Sequence, residues 1–182
     1  MELQEREAVL DRLKKNRERV LAAVSGLSHD QLVFRPAEDQ WSMADCLEHI
    51  NIVESRVYMG IQRALSQPPE PEKGAAVANK RAMIESAALD RTTKFAGPAQ
   101  VMPHREWSSF PELVEAFESI RGRTLQFVEQ TTSRLHDHVF PHPVFQDMDC
   151  YQWLLLLDLH AERHISQMEE VKAAQVSGAH QS

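Results

Sequence analysis

A helical seam carrying two imidazoles sets the terms for this chain. Residues 149–171 form a long apolar stretch whose core-facing positions, at helical spacing, read Trp153, Leu157, His160, His164 and Val171, with Met168 one turn past His164. His160 and His164 are four residues apart, so both rings project from one face and can share a single ion. A third histidine, His49, lies on the stripe of an earlier amphipathic segment that also carries Cys46, Val53 and Val57. Imidazoles turned toward a core without partners are costly. A lone histidine on an apolar face ordinarily packs there with a backbone carbonyl as partner. One metal bound by all three, with water at an open position, is the economical way to satisfy them.

The spacing also excludes a zinc-protease site. In His160-Ala161-Glu162-Arg163-His164 the glutamate follows the first histidine by two residues, which turns it roughly 200° around the helix from His160. The general-base glutamate of that motif is therefore missing. Among the nine histidines, His136, His138 and His142 crowd the loop before the last helix. His136 and His138 read as a polar surface turn. Cys46, one turn before His49, can serve as a fourth ligand and close the coordination sphere, but a buried thiol is the preferred reading. Asp45 and Gln167, each one turn from a histidine, are candidates for orienting ring nitrogens. Arg163 is expected to face away from the metal. No side chain is singled out as nucleophile, general acid or general base.

Helical periodicity organises the rest into four long helices. The first covers about residues 3–24, with Gly26 as its stop. The second is capped by Ser42, with Asp45 favoured at its N-terminus by the helix dipole, and ends near Ser66, before Pro68-Pro69. The third starts at Ser109 with Phe110-Pro111-Glu112 and continues to about Thr131. The fourth follows Asp149. Between the second and third lies a long connection, residues 67–108, with a helical insert near residues 76–89; a connection of that length often covers a functional face. The expectation is an all-α four-helix bundle, a single domain over residues 1–182, with residues 173–182 as a tail.

These motifs, in this order, resemble the DinB-like (YfiT-like) family of metalloenzymes. The resemblance rests on Trp41-Ser42 followed by Leu47-Glu48-His49-Ile50, on His142-Pro143-Val144-Phe145, on Gln152-Trp153, and on His160-x-x-Arg163-His164-x-x-Gln167. Together they span about two thirds of the chain. The resemblance implies up-down-down-up topology and one divalent metal on His49, His160 and His164. Nickel or zinc is expected first; iron or manganese also suits histidine ligands. It also hangs His142 near the mouth of the site, where Trp41, His142 and Phe145 are the candidates for holding substrate. Relatives often carry glycine directly after the phenylalanine; here it is Gln146, a departure that bears on the geometry of the turn.

Neutral imidazoles leave a metal its full charge, so a bound thiol or water becomes more acidic. The first expectation is a metal-dependent transferase that takes a low-molecular-weight thiol and an electrophile. A metal-dependent amide or ester hydrolase, or a non-catalytic metal-binding bundle in stress response, are the alternatives. Both enzyme activities occur among relatives in the family. A formal charge of −7 and the absence of a basic run argue against a nucleic-acid partner. No apolar run approaches membrane-spanning length, since residues 153–157 are broken by Asp158. The charged N-terminus and two cysteines suit a cytoplasmic protein. A homodimer is expected.

Overall fold

The computed structural model describes residues 1–90 and 98–179. Among these residues seven α-helices and one hairpin follow in chain order: α1 (Leu3–Val24), α2 (His29–Val33), α3 (Met43–Leu65), α4 (Pro71–Val77), α5 (Arg81–Leu89), α6 (Phe110–Gln130), β1 (Val139–His142), β2 (Gln146–Asp149) and α7 (Cys150–Ala179). The helix starts are chemically explicit. Ser42 Oγ accepts Asp45 N at 3.1 Å while Asp45 Oδ2 accepts Ser42 N at 2.9 Å, a reciprocal cap at α3. Ser109 caps α6 through Glu112 N. At α7, Asp149 Oδ1 accepts Gln152 N and Gln152 Oε1 accepts Asp149 N, so the helix starts directly out of β2. Gly26 takes the left-handed φ of +71° that ends α1.

Cross-helix bonds fix the directions. Arg6 donates to the carbonyls of Val128, Glu129 and Thr131, and Arg17 pairs with Glu118, so α1 and α6 are antiparallel. Asn16 holds Asp158 and Arg19 pairs with Glu162, so α1 and α7 rise together. Asn51 donates to Leu113 O, Arg121 grips Glu54, and the Tyr58 and Phe127 rings meet, so α3 and α6 run parallel. His49 meets His164 near the start of α3, whereas Ala64 O, near its end, accepts from His138 just ahead of α7; these two are antiparallel. The bundle is up-down-down-up.

Two apolar clusters fill it, and a polar layer separates them. Leu13, Val57 and Val128 belong to one cluster, and Val20, Ile50 and Phe117 to the other. Between them sit Asn16, Glu54, Arg121 and Asp158, all buried. Arg121 is wholly enclosed. Its Nε and Nη2 hold both Glu54 oxygens at 2.7–3.0 Å, and its Nη1 donates to Leu13 O at 2.9 Å. Asn16 Nδ2 donates to Asp158 Oδ1 and O, and Arg12 pairs with the second Asp158 oxygen at 2.9 Å.

Three stretches differ from the sequence reading. The helical insert starts earlier than residue 76: α4 runs from Pro71, a short 3-10 turn covers Ala78–Lys80, and α5 follows, packed on α7. Helix α7 extends to Ala179, so residues 173–179 are helix and not tail. Lys172, Ala173, Ala174 and Gln175 are good helix formers, and no proline intervenes. Residues 180–182 lie outside the described residues. His136 and His138 are half-buried ties, not a surface turn. His136 bonds Glu5 and Asp149 at 3.1 Å, joining the starts of α1 and α7.

Two consequences for stability follow from these contacts. Replacing Glu54 by Gln strands the Arg121 charge in the core, and should lower unfolding free energy by about 3–5 kcal/mol in chemical denaturation. His136 is raised to about 9, chiefly by its bond to Asp149, with the Glu5 bond adding to it against burial. A folded pKa above the unfolded value of about 6.5 stabilises fully below that value, and the benefit is lost as pH rises through 9. Wild-type melting temperature should therefore fall between about pH 6.5 and 9. In His136→Gln that slope should flatten, and an equal slope in both proteins rules out the tie as its source.

Candidate metal centre

His49 comes from the second turn of α3, and His160 and His164 from successive turns of α7. His49 and His164 are buried, and His160 shows part of its ring to a cleft rather than to bulk water. The Nε2 atoms converge. His49 Nε2 lies 2.9 Å and His164 Nε2 3.2 Å from His160 Nε2, and the three fall within 4.8 Å of one another. The far sides of two rings fix where their protons are. His49 Nδ1 donates to Val101 O at 2.6 Å, and His164 Nδ1 donates to Gln167 Oε1 at 3.0 Å. Neutral rings so held carry bare lone pairs on Nε2, aimed at each other. One proton on His160 Nε2 can serve only one of those lone pairs well. A cation satisfies all of them.

The spacing suits a divalent ion. Metal–nitrogen bonds of about 2.0–2.1 Å at a tetrahedral angle separate two nitrogens by roughly 3.3 Å. Burial holds the His49 ring below its ordinary pKa, against the pull of the Val101 bond. His160 is pushed well below, first by burial and then by the two neighbouring imidazoles. Both effects keep the rings in the neutral, ligating form.

Trp41 closes one side, stacked on His164 at 5.6 Å between centroids and tilted over His49 at 4.8 Å. Val101 belongs to a loop strapped to the start of α3. Glu48 oxygens accept His104 N and Arg105 N at 2.9–3.1 Å, and Asp45 accepts from Arg105 Nε and Arg35. Arg105 itself is held at φ +61°, a conformation an L-residue adopts only under such restraint. Burial raises the Glu48 carboxyl, partly offset by the His104 amide. Asp45, a candidate for orienting a ring nitrogen, instead touches no imidazole. It faces the loop, and the carbonyl that loop presents does the orienting. Gln167 does lie against the His164 ring.

The histidines floor a cleft of about 640 Å³ lined by Val53, Val57, Val101, Met102, Leu156 and Trp153 among others. No carboxylate lines it among the described residues. The β1–β2 hairpin forms one rim, with His142 opposite Gln146 in register. Phe140 stacks flat on Trp153 at 4.5 Å, in space that Gly60 leaves open: a β-carbon there would come within 2.8 Å of the Phe140 ring. Gln146 has φ +58°, the left-handed conformation that a glycine takes without strain. His142 and Phe145 both face the cleft, their rings 4.8 Å apart. Cys46 lies in the apolar cluster of Val20, Ile50 and Phe117, outside the group of ligand-capable side chains. Arg163, expected to face away from the histidines, lines the same cleft as they do and donates to the backbone carbonyl of Asp90. Val101 O and Arg56 were missed; only the length of the connection hinted at the first.

Comparison with known proteins follows the same lines. The sequence profile of the DinB superfamily matches residues 12–168. The uncharacterized protein YuaE of Bacillus subtilis (strain 168) is 27% identical over 149 residues, covering 82% of this chain and 88% of that protein. YfiT from Bacillus subtilis, reported as "a probable metal-dependent hydrolase with an unusual four-helix bundle topology", superposes with a TM-score of 0.59 at 12% identity, covering 95% of this chain and 89% of that one. TT2238, a four-helix bundle protein, gives 0.60 at 18% identity, covering 91% and 98%. At such identities the structural likeness is one of fold. With the profile matched over most of its length, the chain belongs to the DinB superfamily.

Proposed function

We propose that this protein is a metal-dependent enzyme that transfers a low-molecular-weight thiol onto an apolar electrophile. One observation carries the reading: three imidazole Nε2 atoms converge at the floor of an apolar cleft in which, among the described residues, no carboxylate stands ready as a general base. A divalent metal at that point supplies Lewis acidity, which makes a coordinated thiol or water more acidic. The thiol route needs no protein base, because its proton leaves to solvent as the sulfur–carbon bond forms and the leaving group departs with its electron pair. The chain's own part is to hold three neutral rings in register, to exclude bulk water with Trp41 and the Val101 loop, and to seat the electrophile against Trp153 and Phe145. Hydrolysis of an amide or ester is the second reading, supported by the description of YfiT, whose fold this chain shares.

Purified protein should take up one equivalent of zinc or nickel, and alanine at His49, His160 or His164 should abolish stoichiometric binding while the helical circular dichroism persists. Unchanged stoichiometry in all three variants would sink the site. Gln167→Ala, which frees the His164 ring to turn, should weaken metal affinity about 10–100-fold without changing stoichiometry. In assays with an alkyl halide, the rate should saturate with added thiol and vanish on chelation. Ester cleavage independent of thiol would install the hydrolase reading instead, and tight metal binding without either reaction would leave a non-catalytic role.

A further inference from the structure

His142 differs from the other histidines of the cleft in the way its ring is wired. Its Nδ1 accepts two backbone N–H groups, from Val144 at 3.0 Å and Phe145 at 3.1 Å. An atom that accepts twice carries no proton, so in the neutral ring the proton is on Nε2. That nitrogen has no hydrogen-bond partner among the described residues and is not sealed from the cleft. The ring is fixed by Phe145 on one side, at 4.8 Å and 27°, and by Trp153 at 5.0 Å on another. Burial pushes its pKa down to about 4, so it stays neutral across the physiological range. It is close enough to the metal site that a charge on it would be felt at His160.

This wiring excludes two roles. His142 is not a fourth ligand, because its one uncommitted nitrogen bears a proton. Nor is it a ready base, because its lone pair is committed to the hairpin turn. What remains is a rigid, neutral N–H donor at the rim of an apolar cleft.

We propose that His142 Nε2–H is the specificity-determining donor of the cleft, selecting apolar substrates that carry an oxygen acceptor, a carbonyl above all. The donor bonds the carbonyl oxygen while Trp153 and Phe145 take the hydrophobic body. For the reactive step this rests on the thiol-transfer reading: with an α-halo ketone the thiol sulfur bonds the halogen-bearing carbon, halide leaves with the electron pair, and the thiol proton passes to solvent. The binding preference stands without that step.

The test uses acetophenone and ethylbenzene, near-isosteres that differ in the carbonyl, titrated calorimetrically into the full chain. His142→Asn is the variant of choice, since its side-chain oxygen can still accept the turn's N–H groups. Wild type should prefer acetophenone, and the preference should drop roughly two- to tenfold in the variant, the worth of one neutral hydrogen bond. Imidazole ¹⁵N spectra of wild type should show His142 protonated on Nε2, with that N–H resonance moving on addition of acetophenone and staying still with ethylbenzene. A proton on Nδ1, a resonance indifferent to acetophenone, an unchanged preference in the variant, or binding of neither compound overturns the proposal. Should His142→Asn unsettle the hairpin, the wild-type spectra decide alone. Phenacyl chloride against benzyl chloride, with thiol, separates the two readings. Turnover of neither removes thiol transfer and leaves the titration to judge His142, whereas equal loss on both in the variant counts against carbonyl selection.

Discussion

The alignment of the three-histidine cluster depends on a buried guanidinium that touches none of its rings among the described contacts. Arg121 is sealed in the bundle, bound to Glu54 of α3 and to the Leu13 carbonyl of α1. Taking such a pair out of water is costly, and its worth lies more in what it specifies than in net stability. With Glu54 turned to α6 and α1, His49, five residues earlier, stands about 140° around α3. That is the side on which α7 packs. Asp158 does the matching work on the other helix. Bound to Asn16 and Arg12 of α1, it fixes the rotation of α7, and His160, two residues on, points roughly 200° away. Both helices are thus referenced to α1, and the rings meet because the two polar contacts agree.

The site then divides its histidines by tautomer. A carbonyl and an amide oxygen draw the Nδ1 protons of His49 and His164 outward, leaving acceptors at the floor. Two backbone amides do the reverse to His142 and put a donor at the rim. One residue type serves opposite ends of the cleft because its neighbours choose which nitrogen is bare. The pattern leaves lone pairs at the floor of the cleft and an N–H at its rim. Burial supports both ends by holding His49, His160 and His142 neutral.

How much of this the sequence displays depends on which atoms carry it. Seams of period 3.6, the caps at Ser42 and Ser109, and the i,i+4 spacing of His160 and His164 are side-chain patterns, and all were readable. The left-handed backbone of Gln146 is a property of the turn and not of its side-chain pattern. Arg121, Glu54 and Asp158 were not readable, because a charged residue on an amphipathic helix looks the same whether it meets solvent or a partner. His136 and His138 were misjudged for a similar reason: their partners, Glu5, Asp149 and Ala64 O, are distant in sequence. The hairpin strands, four residues each, are too short for a period of two to stand out. Val101 orients His49 with a backbone carbonyl, which has no sequence signature at all.

That carbonyl is nonetheless a product of topology. Because α3 and α6 are adjacent and parallel, the chain must return the whole length of α3, about 35 Å for 23 residues, before α6 can start. A short turn cannot do this. The return path passes over the α3–α7 seam, where α5 packs on α7 and Ala88, Pro98, Ala99, Val101 and Met102 line the cleft. Asp45 and Glu48 sit at the start of α3, where a returning loop arrives, and their carboxylates meet Arg105 and the amides of His104 and Arg105 there. An up-down-up-down bundle with short loops has no such segment to spare. Its central seam would face solvent or be packed shut. The parallel pair in the middle of this bundle therefore supplies the wall over the three histidines, and the carbonyl that fixes His49.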